Sequence, residues 1–172
     1  LLTIKNIKYI KLKDSENIEF LKKTIKNRRT ISRLGQYHFQ NDLIHFFDTI
    51  VEKYPTLSSY QIIGKSVEQR DLLVMKIGNN KVENKGSIMF IGNLHGNETV
   101  GREICLYFIN YLCENYNIYY IRNLIDHLNI YIMPSANPDG FETFYNNNWN
   151  PIRTNRNNID LNRDFPDQFI DK

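Results

Sequence analysis

The sequence predicts an α/β fold, a mixed parallel and antiparallel central sheet flanked by helices. Three observations carry that prediction. Apolar residues recur at spacings of three and four over residues 37–54 and every four residues over 98–114, which marks helices. Short apolar runs at residues 60–63, 72–77, 87–91 and 128–133 mark strands. The two patterns alternate along the chain, with one pair of strands close enough for a hairpin, so helices must cover the sheet. At 172 residues and 41% hydrophobic content the chain is one domain or a piece of one, with enough apolar mass for a core. Global disorder is excluded, and no run approaches the roughly 20 apolar residues of a membrane-spanning helix.

Residues 1–34 mix Lys with Ile at no sustained period, apart from a short helical pattern at 18–25, and Gly35 closes them off. They are expected to form a basic, loosely ordered leader ahead of a folded part at 35–172. Residues 1–33 hold ten basic and three acidic side chains, whereas the remainder holds twelve and sixteen. A body with net charge −4 is a poor match for a polyanion, which argues against nucleic acid as a partner of the folded part.

In the first helix Leu43, Phe46, Phe47, Ile50 and Val51 form one apolar face, and Pro55 stops it. The runs at 60–63 and 72–77 form the hairpin. Residues 87–91 are an apolar run of the kind that fills a central strand, and 92–97 carry the chain into a helix whose Val100, Ile104, Phe108 and Leu112 repeat every four residues. Cys105 and Cys113 are eight residues, or about 12 Å, apart on that helix, beyond disulfide reach, and read as core. A helix at 119–127 precedes the strand at 128–133, after which Pro134 and Pro138-Asp139-Gly140 are expected to form tight turns.

Chemistry concentrates where strand 87–91 gives way to its helix. His95 and Glu98 are three residues apart, so one turn can aim an imidazole and a carboxylate at a single ion, and zinc suits that pair. The same spacing also fits a helix start with a dipole-favoured glutamate. A second concentration, residues 153–166, gathers Arg153, Arg156 and Arg163 with several amides, a composition suited to an anionic substrate group. An Asn-rich surface loop with structural ion pairs explains it equally well.

Four segments in order resemble the zinc metallocarboxypeptidases, specifically the subgroup of carboxypeptidases N, E, D and M. They are Gly64-Lys65-Ser66-Val67-Glu68, Gly92-Asn93-Leu94-His95-Gly96-Asn97-Glu98-Thr99-Val100-Gly101-Arg102-Glu103, Met133-Pro134-Ser135-Ala136-Asn137-Pro138-Asp139-Gly140-Phe141-Glu142, and Asp160-Leu161-Asn162-Arg163-Asp164-Phe165-Pro166-Asp167-Gln168-Phe169. The match runs from about residue 37 to the end. It implies that His95 and Glu98 are the first two zinc ligands and that Asp160 orients His95. It also implies that Arg153 polarises the scissile carbonyl, with Arg156 a nearby decoy, and that Asn162 and Arg163 bind the terminal carboxylate of a peptide or protein substrate in a buried site.

The resemblance further implies hydrolysis of the last peptide bond, with C-terminal Lys or Arg preferred, and a place in the secretory pathway or outside the cell. The family's third ligand, a histidine, its glutamate base and a carboxylate-closing tyrosine lie downstream of the Asn-Arg motif. The chain is therefore expected to be the truncated N-terminal part of a catalytic domain, binding zinc weakly and inactive alone, with an apolar sheet edge exposed. His38, His45 and His127 are expected to be packing or surface residues, and Glu103 and Glu142 to match family positions without a catalytic role. The rival reading is a non-catalytic relative that binds peptide C-termini or a partner.

Overall fold

A computed structural model describes residues 37–83, 85–146, 152–163 and 165. The proposed leader and its short helix lie outside them. Helix α1, Gln40–Lys53, buries Leu43, Phe47 and Ile50. It starts later than the apolar pattern does, because Asp42 accepts the Phe39 N–H at 3.1 Å and so caps the first turn.

Strands β1, Ser58–Lys65, and β2, Asp71–Ile77, form the antiparallel hairpin, with a register slip between Ile62 and Gly64. Strand β3, Gly86–Ile91, leads to helices α2, Val100–Glu114, and α3, Tyr119–His127, and then to β4, Leu128–Met133. Strand β4 pairs in parallel with β3 and antiparallel with β2, giving the order β1-β2-β4-β3. The sheet is mixed because the helical crossover returns the chain in the same direction whereas the hairpin reverses it.

Met75 faces Ile132 and Ile77 faces Ile130 across β2 and β4. These four residues share one buried cluster with Phe47 of α1 and Ile109 and Leu112 of α2. Each such side chain contributes roughly 1.5–3 kcal/mol by leaving water.

Three sequence expectations are corrected. Only the C-terminal half of the four-residue stripe on α2 meets the core: Val100 and Ile104 are about 60% exposed, Phe108 is half-buried and Leu112 is buried, and the buried face is made by Arg102, Cys105, Leu106, Ile109, Leu112 and Cys113. A spacing of four advances 400°, so such a stripe drifts round the helix, while steps of three and four together hold one face. Strand β3 is the edge strand of the described sheet rather than a central one, with Ile88, Met89, Phe90 and Ile91 all exposed. Finally, residues 138–140 open helix α4, Pro138–Asn146, instead of forming turns. Proline suits the first helical position, and the Asn137 side chain caps the helix by accepting the Gly140 N–H at 2.9 Å.

Candidate functional site

Parallel strands β3 and β4 end side by side, so the loops leaving them start as neighbours. Their pairing continues past the strands: Gly92 N–H donates to the Met133 carbonyl at 2.8 Å, Ala136 N–H to Gly92 at 3.1 Å and Asn137 N–H to Asn93 at 3.0 Å. A third loop, 152–163, hangs from these two. Gly96 N–H donates to the Arg153 carbonyl at 3.2 Å, and the Asn137 amide to the Thr154 carbonyl at 3.0 Å. A Cβ on Gly96 would lie 2.6 Å from both the Gly140 carbonyl carbon and the Ile152 oxygen. Only glycine lets the three backbones meet there.

This convergence brings His95, Glu98, Arg153 and Asp160 together from two separate stretches of sequence. His95 is 5% exposed. Its Nε2 lies 3.2 Å from Asp160 Oδ1, and the other Asp160 oxygen accepts the Arg153 Nε–H at 2.7 Å. The Arg153 guanidinium holds the Asp160 carboxyl down at about 2, helped by the Asn162 N–H that donates to it at 2.9 Å. An ionised Asp160 can only accept, so it takes the Nε2 proton, which in the neutral imidazole leaves a lone pair on Nδ1.

That Nδ1 atom is buried, makes no hydrogen bond among the described residues, and lies 2.9 Å from Glu98 Oε1. A lone pair and a carboxylate oxygen at that distance repel unless a proton or a metal cation lies between them. The donor set, one imidazole nitrogen and one carboxylate oxygen, is what zinc takes. The residues present therefore fit a zinc ion as two of its ligands. Among the described residues no group of three or more His, Cys, Asp or Glu side chains gathers around such an ion.

The side chains of Asn162 and Arg163 stand apart from this arrangement. Both are exposed, and the Arg163 guanidinium donates to the Asn162 carbonyl at 2.9 Å. Among the described residues nothing buries them. Arg156 pairs with Glu68 at 2.7 Å, away from the imidazole. His38 donates its backbone N–H to Glu103 and sets Nδ1 2.7 Å from the same carboxylate, while Glu142 accepts the Gln40 N–H at 2.9 Å. His45 is exposed and His127 meets the Asn123 carbonyl at 2.7 Å.

Sequence reasoning missed Asp139, which is 1% exposed and accepts from Ser66 Oγ at 2.7 Å, the Glu68 N–H at 3.0 Å and Arg70 Nη1 at 2.6 Å. It fastens the hairpin turn to the start of α4. The only available signal was an aspartate in the first turn of an unrecognised helix.

A family model described as zinc carboxypeptidase matches residues 43–172. Carboxypeptidase D of Homo sapiens is 41% identical over 140 residues, covering 78% of this chain and 10% of that protein. Carboxypeptidase M of Mus musculus is 41% identical over 144 residues, covering 78% and 32%, and carboxypeptidase E of Caenorhabditis elegans 41% over 143 residues, covering 77% and 30%.

Among solved structures, bovine thrombin-activatable fibrinolysis inhibitor, in complex with tick carboxypeptidase inhibitor, superposes with a TM-score of 0.61 at 28% identity, over 70% of this chain and 38% of the other. Carboxypeptidase A from Helicoverpa armigera shares the fold, with a TM-score of 0.64 at 24% identity over 83% and 36%. The chain thus spans between a tenth and two fifths of the length of these relatives. With most of its length matched by the family model and its mixed sheet shared with solved members, this chain belongs to the zinc carboxypeptidase family.

Proposed function

We propose that this chain carries part of the catalytic centre of a metallocarboxypeptidase, which hydrolyses the C-terminal peptide bond of peptides or proteins. The observation that carries the reading is the buried, unbonded His95 Nδ1 facing Glu98 Oε1 at 2.9 Å while Asp160 and Arg153 hold the other side of the ring. His95 and Glu98 are the zinc ligands in this reading. Zinc bound there would supply polarisation of the scissile carbonyl and a water that ionises near neutral pH.

Asp160 keeps the imidazole proton on Nε2, so that Nδ1 presents its lone pair. Arg153 lies 3.8 Å from Glu98 and is partly exposed, so its guanidinium is open to a carbonyl oxygen beside the ligands and can stabilise negative charge there. Arg163 and Asn162 offer an exposed fork and amide for the terminal carboxylate of the substrate.

The relatives are much longer than the matched region. In this reading the third ligand and the general base lie in sequence beyond Lys172, the 172-residue chain holds zinc weakly, and it does not turn over alone. Residues 1–34 form a leader to the catalytic part at 35–172. Preference for C-terminal Lys or Arg, and a place in the secretory pathway, rest on the subgroup resemblance.

The test is a calorimetric zinc titration of the chain beside His95→Ala and Glu98→Ala, followed by peptidase assays on peptides ending in Lys, Arg or Leu. Weak binding lost in both variants, without turnover, is the expected outcome. Zinc uptake indifferent to both substitutions would refute the ligand assignment. Cleavage by the 172-residue chain, abolished in His95→Ala, would show that the site is complete here.

A further inference from the structure

Asn93, two residues before His95, is 3% exposed and has a left-handed backbone, φ 47°. Its amide nitrogen donates to the His95 carbonyl at 2.8 Å and lies 3.3 and 3.4 Å from the Gly96 and Glu98 carbonyls. Its amide oxygen accepts the Ser135 hydroxyl at 2.7 Å, and Ser135 in turn accepts from Arg102 Nη1 at 3.4 Å. Ser135 and Arg102 are also buried.

We propose that Asn93 is the positioning residue of the metal site. One amide gathers three carbonyls of the His95–Glu98 turn, and this curls the loop until the imidazole nitrogen and the carboxylate oxygen face the same point. The Glu98 N–H also donates to the His95 carbonyl at 3.1 Å, and the amide adds its donors where the three carbonyl oxygens converge. Ser135 fixes which end of the amide points at them, because its O–H donates to Asn93 while its lone pair receives the arginine. Asparagine meets both demands of the position: it tolerates a positive φ, and its nitrogen is a donor. Aspartate has the same shape but would set an oxygen against three oxygens.

The inference rests on the reading of His95 and Glu98 as ligands. Its test uses the 172-residue chain with zinc, and with cobalt as a visible-spectrum reporter of ligand geometry, in Asn93→Asp, Asn93→Gly and Ser135→Ala. Metal-free thermal unfolding is recorded in parallel. Both Asn93 variants are expected to lose roughly 10–100-fold in zinc affinity, the range for removing a support of a metal ligand. Their cobalt spectra should change while unfolding stays cooperative, and Ser135→Ala should lose less.

A merely structural Asn93 would shift the unfolding temperature and leave the cobalt spectrum alone, which would overturn the proposal. If both Asn93 variants fail to fold, Ser135→Ala decides: weaker zinc binding at unchanged metal-free stability supports the proposal, and unchanged binding sinks it. Wild-type affinity in Asn93→Gly beside a loss in His95→Ala overturns this inference alone. Zinc binding untouched by His95→Ala overturns the ligand reading and this inference with it.

Discussion

Arg153 donates its Nε–H to Asp160 Oδ2 at 2.7 Å, which ties an arginine of the third loop to the carboxylate that faces His95. The arrangement predicts how Asp160 titrates. The guanidinium favours the charged form, so the folded carboxyl sits near 2, below the usual carboxylate range. A depressed carboxylate contributes stability that is present above about pH 4 and lost as pH falls through the folded value. Arg153→Ala should raise the Asp160 pKa toward the ordinary value in a carboxyl-carbon NMR titration. An unchanged titration would show that the Asn162 N–H, not Arg153, holds the charge.

Gly96 predicts a steric penalty. A methyl group there meets the backbone of both Gly140 and residue 152, and neither is a flexible side-chain end. Gly96→Ala should cost about 1–3 kcal/mol in urea unfolding, the range for overpacking, and should weaken zinc binding as the Arg153 loop is pushed away. A variant as stable as the parent would mean the three loops separate freely.

Asp139 predicts a larger loss. It is buried with three donors, and Asp139→Ala leaves Ser66 Oγ, the Glu68 N–H and Arg70 without their shared acceptor. Arg70 is partly exposed, so water relieves some of the cost, and about 3 kcal/mol is expected, the low end for breaking a buried pair. Equilibrium denaturation measures it, and a loss below about 1 kcal/mol would contradict the pairing.

The two cysteines are free and buried, and burial pushes Cys105 up to about 11 and Cys113 up to about 12. In the unfolded chain both ionise near 8.5. The unfolded state therefore releases these protons first, and stability should fall as pH rises above that value. At pH 8 iodoacetamide should modify neither thiol in the folded protein and both in urea. Rapid labelling of the native protein would mean that α2 does not pack as described.

The α/β class, the hairpin, the helix at 119–127 and the strand at 128–133 follow from periodicity, because side-chain burial repeats along a strand or helix whatever lies opposite. His95 and Glu98 were visible because both lie within one turn of chain, where three residues fix their separation. Sequence misjudged what neighbours decide: which face of α2 is buried, that β3 lies at the edge of the described sheet, and that residues 138–140 start a helix.

The remaining relationships exist only in the tertiary structure. Asp160 reaches His95 across 65 residues and Ser135 reaches Asn93 across 42, because the parallel pairing of β3 with β4 sets loops side by side that are distant in the chain. Local spacing determined which groups could bind an ion. The sheet decided which proton the imidazole keeps and how the loop that carries it is curled, since hydrogen bonds between loops depend on distance in space, for which a linear sequence carries no period.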